Sequence, residues 1–200
     1  MSDAARFDAI VVGAGPAGST AAWRLARAGR RVALLERGDS PGAKNLFGGM
    51  IYSLELARHF PHFAEAAPIE RPVTRHATHL LGEGRSLNLD FACEAFGEAP
   101  YNGFTAYRSR FDRWLAGEAE RAGALLVPST VVDALLIEGG RVVGERARRE
   151  AGELRAPVVI CADGILSLLG QQQRRQAIDL LDECLNQVLR AFKLAVIAGL

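Results

Sequence analysis

Cysteine is scarce in this 200-residue chain: Cys93, Cys161 and Cys184 stand far apart, are odd in number and form no CxxC pair. That spacing argues against a disulfide framework or a thiolate metal site and suits a reducing compartment. Long hydrophobic runs are lacking too. No eighteen consecutive apolar residues occur, and the polar start Met1 to Arg6 leads into an apolar run too short for a signal-peptide core. A cytoplasmic protein is the expectation. Charge of one sign is missing, since 24 Lys and Arg against 23 Asp and Glu leave a net charge of +1 and no field to draw in nucleic acid. Lysine occurs only at Lys44 and Lys193. The four histidines, His59, His62, His76 and His79, have no partners at metal-ligand or triad spacing.

Nearly half of the residues are apolar and about a quarter are charged, as in a soluble globular chain of one domain or one domain with an appendage. The first fifty residues carry the strongest signal. Phe7 to Val12 reads as a buried parallel strand, Ala17 to Ala28 as an Ala-rich helix stopped by Gly29, and Arg31 to Glu36 as a second buried strand. Between strand and helix stands Gly13-Ala14-Gly15-Pro16-Ala17-Gly18, a G-x-G-x-x-G. Gly13 permits the tight turn, Gly15 lets backbone approach a pyrophosphate, and Gly18 lets the helix pack on the strand. The N–H groups at the helix start, around Pro16 and Ala17, favour phosphate. Glu36 ends the second strand, where a carboxylate accepts ribose hydroxyls and repels a 2′-phosphate. A βαβ unit that binds the ADP part of a dinucleotide follows. The local motif does not choose between NAD and FAD.

Further on, Arg37 to Gly49 reads as a loop and Leu54 to Phe63 as a helix broken at Pro61. Pro72 to Leu89, with Thr78 and Leu80 and then Leu87 and Leu89 alternating about Gly82-Glu83-Gly84, reads as a hairpin. A helix from Ser109 to Arg121, with Asp112 completing an approximate capping box, presents Phe111, Trp114, Leu115 and Ala119 on one face. Leu125 to Val127 reads as a strand, Val131 to Ile137 and Arg141 to Ala147 as a hairpin, and Pro157 to Cys161 as a buried strand. Cys161 there reads as an inert small hydrophobe. Ile178, Leu181, Leu185, Val188, Leu189 and Phe192 form a helical stripe.

The loop after the second strand carries a resemblance. Arg37-Gly38-Asp39-Ser40-Pro41-Gly42-Ala43-Lys44-Asn45, running on to Phe47-Gly48-Gly49-Met50-Ile51-Tyr52, resembles the FixC and electron-transfer-flavoprotein–quinone oxidoreductase family, which belongs with the geranylgeranyl reductases. Tyr107 to Leu115 resembles that family's R-x-x-F-D-x-W-L helix start, and Cys161 to Ser167 its A-D-G-x-x-S segment. The resemblance implies an α/β fold, a Rossmann-like FAD-binding domain of the GR2 type with β-hairpin insertions and a C-terminal helix. It divides the chain into an FAD-binding domain over 1–168, with part of a substrate-domain sheet at about 72–107, and an amphipathic helix over 169–200.

By the same resemblance the cofactor is FAD. Arg108 lies near its pyrophosphate or ribityl chain, Asp163 and Gly164 close the adenosine side, and Val132 touches the adenine. Arg37, Lys44, Asn45, Gly48 and Gly49 face the flavin side. Each has a plainer account: a solvated Arg108 on a helix start, a loop Lys44, a turn Asp163-Gly164, a core Val132. No catalytic residue stands out. The resemblance also implies electrons taken from an electron-transfer flavoprotein and passed to a quinone or a ferredoxin-like protein, with peripheral membrane contact at most. An isoprenoid-reducing flavoprotein and a non-catalytic nucleotide-binding remnant are the alternatives. The match stops near Ser167, so a shortened form that holds FAD weakly is expected.

Overall fold

The computed structural model describes residues 7–44, 48–147, 152–164, 167 and 169–171. Its centre is a parallel sheet whose middle strands are apolar at every position because both of their faces are covered. β1 (Ala9–Val12) and β2 (Val32–Leu35) are buried throughout. β8 (Leu125–Val127) flanks β2, and β12 (Val159–Cys161) flanks β1, giving the order β12-β1-β2-β8.

Alternate residues of the sheet serve two different layers. On one face Val11, Val32 and Leu34 pack against α1 (Pro16–Arg27) and α4 (Arg108–Arg121), with Ala22, Trp23, Phe111, Leu115 and Ala119 filling the space. On the other face Ile10, Val12, Ala33 and Leu35 meet Val132, Leu154 and Ala156. These come from and beside an antiparallel meander of β9 (Val132–Glu138), β10 (Arg141–Ala147) and β11 (Glu153–Arg155). The α/β Rossmann-like class read from the sequence is the class found.

Between β2 and α4 the chain builds a second antiparallel sheet, in which β7 (Gly103–Tyr107) lies between β3 (Gly48–Tyr52) and β4 (Ile69–Pro72). Short helices α2 (Ser53–His59) and α3 (Phe63–Ala66) link β3 to β4. Among the described residues, a hairpin of β5 (Arg75–Gly82) and β6 (Arg85–Ala92) pairs only with itself. Thr78, Leu80, Leu87, Leu89 and Phe91 share one of its faces, and the four large side chains among them are more than half exposed.

Several expectations change. The loop expected to run to Gly49 ends earlier, because Gly48 and Gly49 already pair with Tyr107 and Ala106 in the sheet. α4 starts at Arg108 and no side chain caps it, so Ser109 lies inside the helix and the capping box does not form. Cys161 is exposed rather than buried, since β12 is an edge strand. β3, β4 and β11 were not foreseen as strands, and β7 falls at the end of the stretch, about 72–107, in which part of a sheet was expected. Of the helix expected over 169–200, only residues 169–171 are described, and these are helical.

One buried group departs from the rule that interior charge is paired. Glu145 on β10 is fully buried, opposite Leu135 and Leu154, and neither carboxylate oxygen has a hydrogen-bond partner among the described residues. Burial pushes its carboxyl up from an ordinary value of 4.5 to about 7. The raised pKa means that the folded state favours the protonated form. That contribution is fully present below about pH 4.5 and is lost as pH rises through about 7. Glu145→Gln, a neutral isostere, is therefore expected to raise the melting temperature on the order of 5 °C at pH 8 and to change it little at pH 4.5. Thermal melts of both proteins across that range check it, and a gain independent of pH counts against the assignment.

Candidate functional site

In a parallel sheet the crevice forms at the carboxyl ends of strands where the chain reverses its direction of winding. Here that point is the end of β1, with β2 on one side and β12 on the other. The glycine-rich turn sits there. Gly13 has φ of +100°, and a Cβ on it would clash with the Ala162 carbonyl oxygen and lie 2.9 Å from that carbonyl carbon. A Cβ on Gly18 would strike the Gly13 carbonyl group in the same way. Strand, turn and helix thus meet backbone to backbone. Gly15 is the N-cap of α1 and Pro16 its first residue; no side chain caps the helix, so its first-turn N–H groups are available to an anion. Ala17 in that turn is exposed.

Glu36 bounds the crevice on the β2 side. It is only 9% exposed; one carboxylate oxygen accepts the Ala14 N–H at 3.0 Å and the other the Gly38 N–H at 2.7 Å. A carboxylate offers about four lone-pair positions, so two such bonds leave room for two ribose hydroxyls. The Glu36 backbone is pinned as well, to Val127 and Thr130.

Arg108 enters from α4. Its Nη2 lies 3.8 Å from the position a Cβ on Gly15 would take, which puts a cation at the start of α1. Asp112, one helical turn on and fully buried, accepts Arg108 Nε and Nη2 at 2.8 Å each. These hydrogen bonds raise the already high pKa of the guanidinium, against the opposing effect of its own burial. The loop after β2 closes on the same place: a Cβ on Gly42 would lie 2.7 Å from the Arg108 carbonyl oxygen and 3.1 Å from Asp112 Cβ.

Gly13, Gly15, Pro16, Ala17, Gly18, Glu36 and Arg108 therefore come together at the end of β1. The other expected residues sit differently. Asp163 borders the turn through its backbone, with its Cα 3.2 Å from the position of a Gly13 Cβ, while its carboxylate accepts the Ser167 hydroxyl at 2.7 Å and the Leu169 N–H at 3.4 Å. Gly164 next to it is exposed, with φ of +97°. Val132 packs, half-buried, against the core behind the sheet. Arg37 and Lys44 are exposed, and Asn45 lies outside the described residues. Gly48 and Gly49 line a separate open cleft of about 570 Å³ with Met50, Arg71, Thr105 and Tyr107, the residue before Arg108. Sequence reading missed the pairing of Asp112 with Arg108, although the i,i+4 spacing of opposite charges could have indicated it. Among the described residues no three His, Cys, Asp or Glu side chains cluster for a metal, and no helix is long and apolar enough to cross a membrane.

The glycine cradle gives the next expectation. Gly18→Ala is expected to cost more than about 1 kcal/mol of stability, because backbone must move to admit the methyl group. Gly29→Ala is the converse case: its φ is +74° with no atom within 4 Å, so it carries only a conformational strain that the helical Gly18 does not have. Denaturant melts of the two variants measure the steric and the conformational cost separately, and a Gly18→Ala loss well below about 1 kcal/mol would contradict the close approach at Gly18.

Comparison with known proteins agrees with this geometry. Residues 8–100 match the model of the FAD dependent oxidoreductase family. A probable electron transfer flavoprotein-quinone oxidoreductase of Escherichia coli, YdiS, is 48% identical over 171 residues, covering 86% of this chain and 39% of the relative. Protein FixC of Azotobacter vinelandii is 43% identical, covering 83% of this chain and 38% of the relative. The chain thus spans about two fifths of the length of these relatives. Among solved structures, a geranylgeranyl bacteriochlorophyll reductase-like protein of Thermoplasma acidophilum superposes with a TM-score of 0.69 at 27% identity, over 83% of this chain and 41% of that one. The myxobacterial FAD-dependent halogenase CndH superposes with a TM-score of 0.58 at 29% identity, over 77% and 36%. Over most of its length the chain belongs to the FixC and electron-transfer-flavoprotein–quinone oxidoreductase family of FAD-dependent oxidoreductases.

Proposed function

We propose that this chain holds the ADP half of FAD at the end of β1, as the nucleotide-binding part of a FixC-type oxidoreductase. The observation that carries the reading is the convergence on one turn of a side-chain-free cradle, a helix start and a guanidinium, with a carboxylate at its edge. The diphosphate lies over Gly13, Gly15 and Gly18 within reach of Arg108. The ribose hydroxyls donate to Glu36, whose negative charge disfavours a 2′-phosphate. Asp163 and Gly164 wall the adenosine side, with Val132 behind. Arg37, Lys44, Gly48 and Gly49 face the flavin half, where a cation such as Lys44 stabilises negative charge on the ring.

Bound FAD supplies the electron chemistry; the residues of this chain bind and orient it. The names of the relatives support an electron-transfer flavoprotein as donor and a quinone as acceptor. A ferredoxin-like acceptor is the further possibility carried over from the FixC resemblance. The superposition on a geranylgeranyl bacteriochlorophyll reductase-like protein favours a second reading, in which the electrons reduce an isoprenoid double bond.

Calorimetric titration with FAD, ADP, NAD and NADP tests the cofactor reading. FAD is expected to bind at least about tenfold more tightly than NAD or NADP. Equal affinity for ADP and FAD would instead mark a nucleotide-binding remnant. The FAD-loaded chain, mixed without oxygen with a reduced electron-transfer flavoprotein, is expected to bleach at the flavin bands. Bleaching only after addition of a reduced nicotinamide would overturn the donor assignment.

A further inference from the structure

A guanidinium binds a phosphate best when two of its N–H groups present a rigid fork, and a long side chain at a protein surface loses entropy in holding that pose. Arg108 does not have to find the pose unaided. Asp112 engages the guanidinium side-on, through Nε and Nη2. Of its five N–H donors that takes two and leaves three, both of those on Nη1 and one on Nη2, so that the Nη1–Nη2 end of the group still presents a fork. This free edge includes Nη2, the atom beside Gly15 at the start of α1. The Asp112 carboxylate is fully buried, on a helix whose neighbouring side chains Phe111 and Leu115 are packed into the core.

The loop after β2 reinforces this arrangement. At Gly42, with φ of +80°, the loop lies against the Arg108 carbonyl, Ser109 and Asp112 with no space for a side chain. Nearby, Arg113 donates to the Ser40 hydroxyl at 3.1 Å. The other end of the same loop starts at Glu36, which is bonded to the Ala14 N–H inside the glycine-rich turn. Carboxylate, guanidinium, loop and turn therefore close a ring of contacts around the place for the diphosphate.

We infer that Asp112 is the positioning residue of the nucleotide site: it holds Arg108 so that the free edge of the guanidinium faces a diphosphate lying on the Gly13–Gly18 turn. The inference rests on the FAD reading above. Through Arg108, Asp112 bears on ligands that carry the diphosphate, and adenosine alone does not reach that guanidinium.

The test uses the full chain and three probes: FAD, ADP and adenosine. Asp112→Asn keeps the shape and removes the charge that orients the fork. It is expected to weaken FAD and ADP about ten- to a hundredfold and to leave adenosine unchanged. Arg108→Gln is expected to give the same pattern, and the double variant to lose no more than Arg108→Gln alone. A merely structural role for Asp112 predicts that adenosine affinity falls by the same factor as ADP affinity, and that outcome overturns the inference. Losses that add in the double variant overturn it as well.

Far-UV circular dichroism establishes whether Asp112→Asn folds. Where it does not, Arg108→Lys decides alone, since it keeps a cation beside Asp112 but has no fork. A loss of about tenfold or more for ADP, with adenosine unchanged, supports the inference, and unchanged ADP affinity overturns it. A wild-type chain that binds neither FAD nor ADP refutes the FAD reading itself. Normal wild-type binding with an unaffected Asp112→Asn refutes only the positioning role.

Discussion

The nucleotide site depends on one steric fact: at the end of β1, backbone meets backbone with no room for a side chain. The parallel pairing of β1 with β12 brings the Ala162 carbonyl against Gly13, and the start of α1 brings Gly18 against the Gly13 carbonyl. Each contact fixes the others. If β12 shifted by one residue, the wall beside Gly13 would change; if α1 stood further off, its first-turn N–H groups would no longer converge on the crevice. The site is therefore a property of the sheet register as much as of the glycines.

The same register sorts the core. β1 and β2 send alternate side chains to the helix layer and to the meander layer, so each short strand contributes to two cores. α4 repeats the economy on a larger scale. Phe111, Leu115 and Ala119 hold it on the sheet while Arg108, at its first turn and paired with the buried Asp112, reaches the crevice. The pair is half inside the protein, with Arg108 a quarter exposed and Asp112 not at all. Removing one partner from such a pair strands a charge and costs up to about 3–5 kcal/mol, whereas exposed pairs such as Arg58 with Glu55 contribute little.

The βαβ unit was legible because its signals are local: an apolar run, a glycine pattern, a carboxylate at the second strand end. The class was readable for the same reason, whereas the choice of FAD came only with the family resemblance carried by the Arg37 to Tyr52 run and by the Tyr107 to Leu115 and Cys161 to Ser167 segments. Strands β3, β4 and β11 were not legible. The first two pair with a partner distant in sequence, and stretches such as Glu153–Arg155 are too short to show alternation. Cys161 was misjudged because a run of apolar residues does not reveal whether the strand that carries it lies at an edge. The function of Asp112 was hidden behind a plausible local one, a capping box, which a shift of one residue in the helix start removes. Glu145 gave no sequence signal, since Arg141–Ala147 reads as an ordinary hairpin arm whichever way the carboxylate points.

The β5–β6 hairpin stands apart from all of this. Its polar face is tied together by Arg75 with Asp90 and His79 with Asn88, and its base rests on ring contacts among Tyr52, His76, Phe91 and Phe96. The two strands join neither of the packed layers. In evolutionary terms that separation is a licence. Substitutions along Leu80, Leu87 and Leu89 leave the nucleotide fold untouched, so this arm can diverge to suit whatever it meets while the crevice stays constant. A family that keeps one cofactor and changes its dealings with the outside has, in such an arm, a place to make the change.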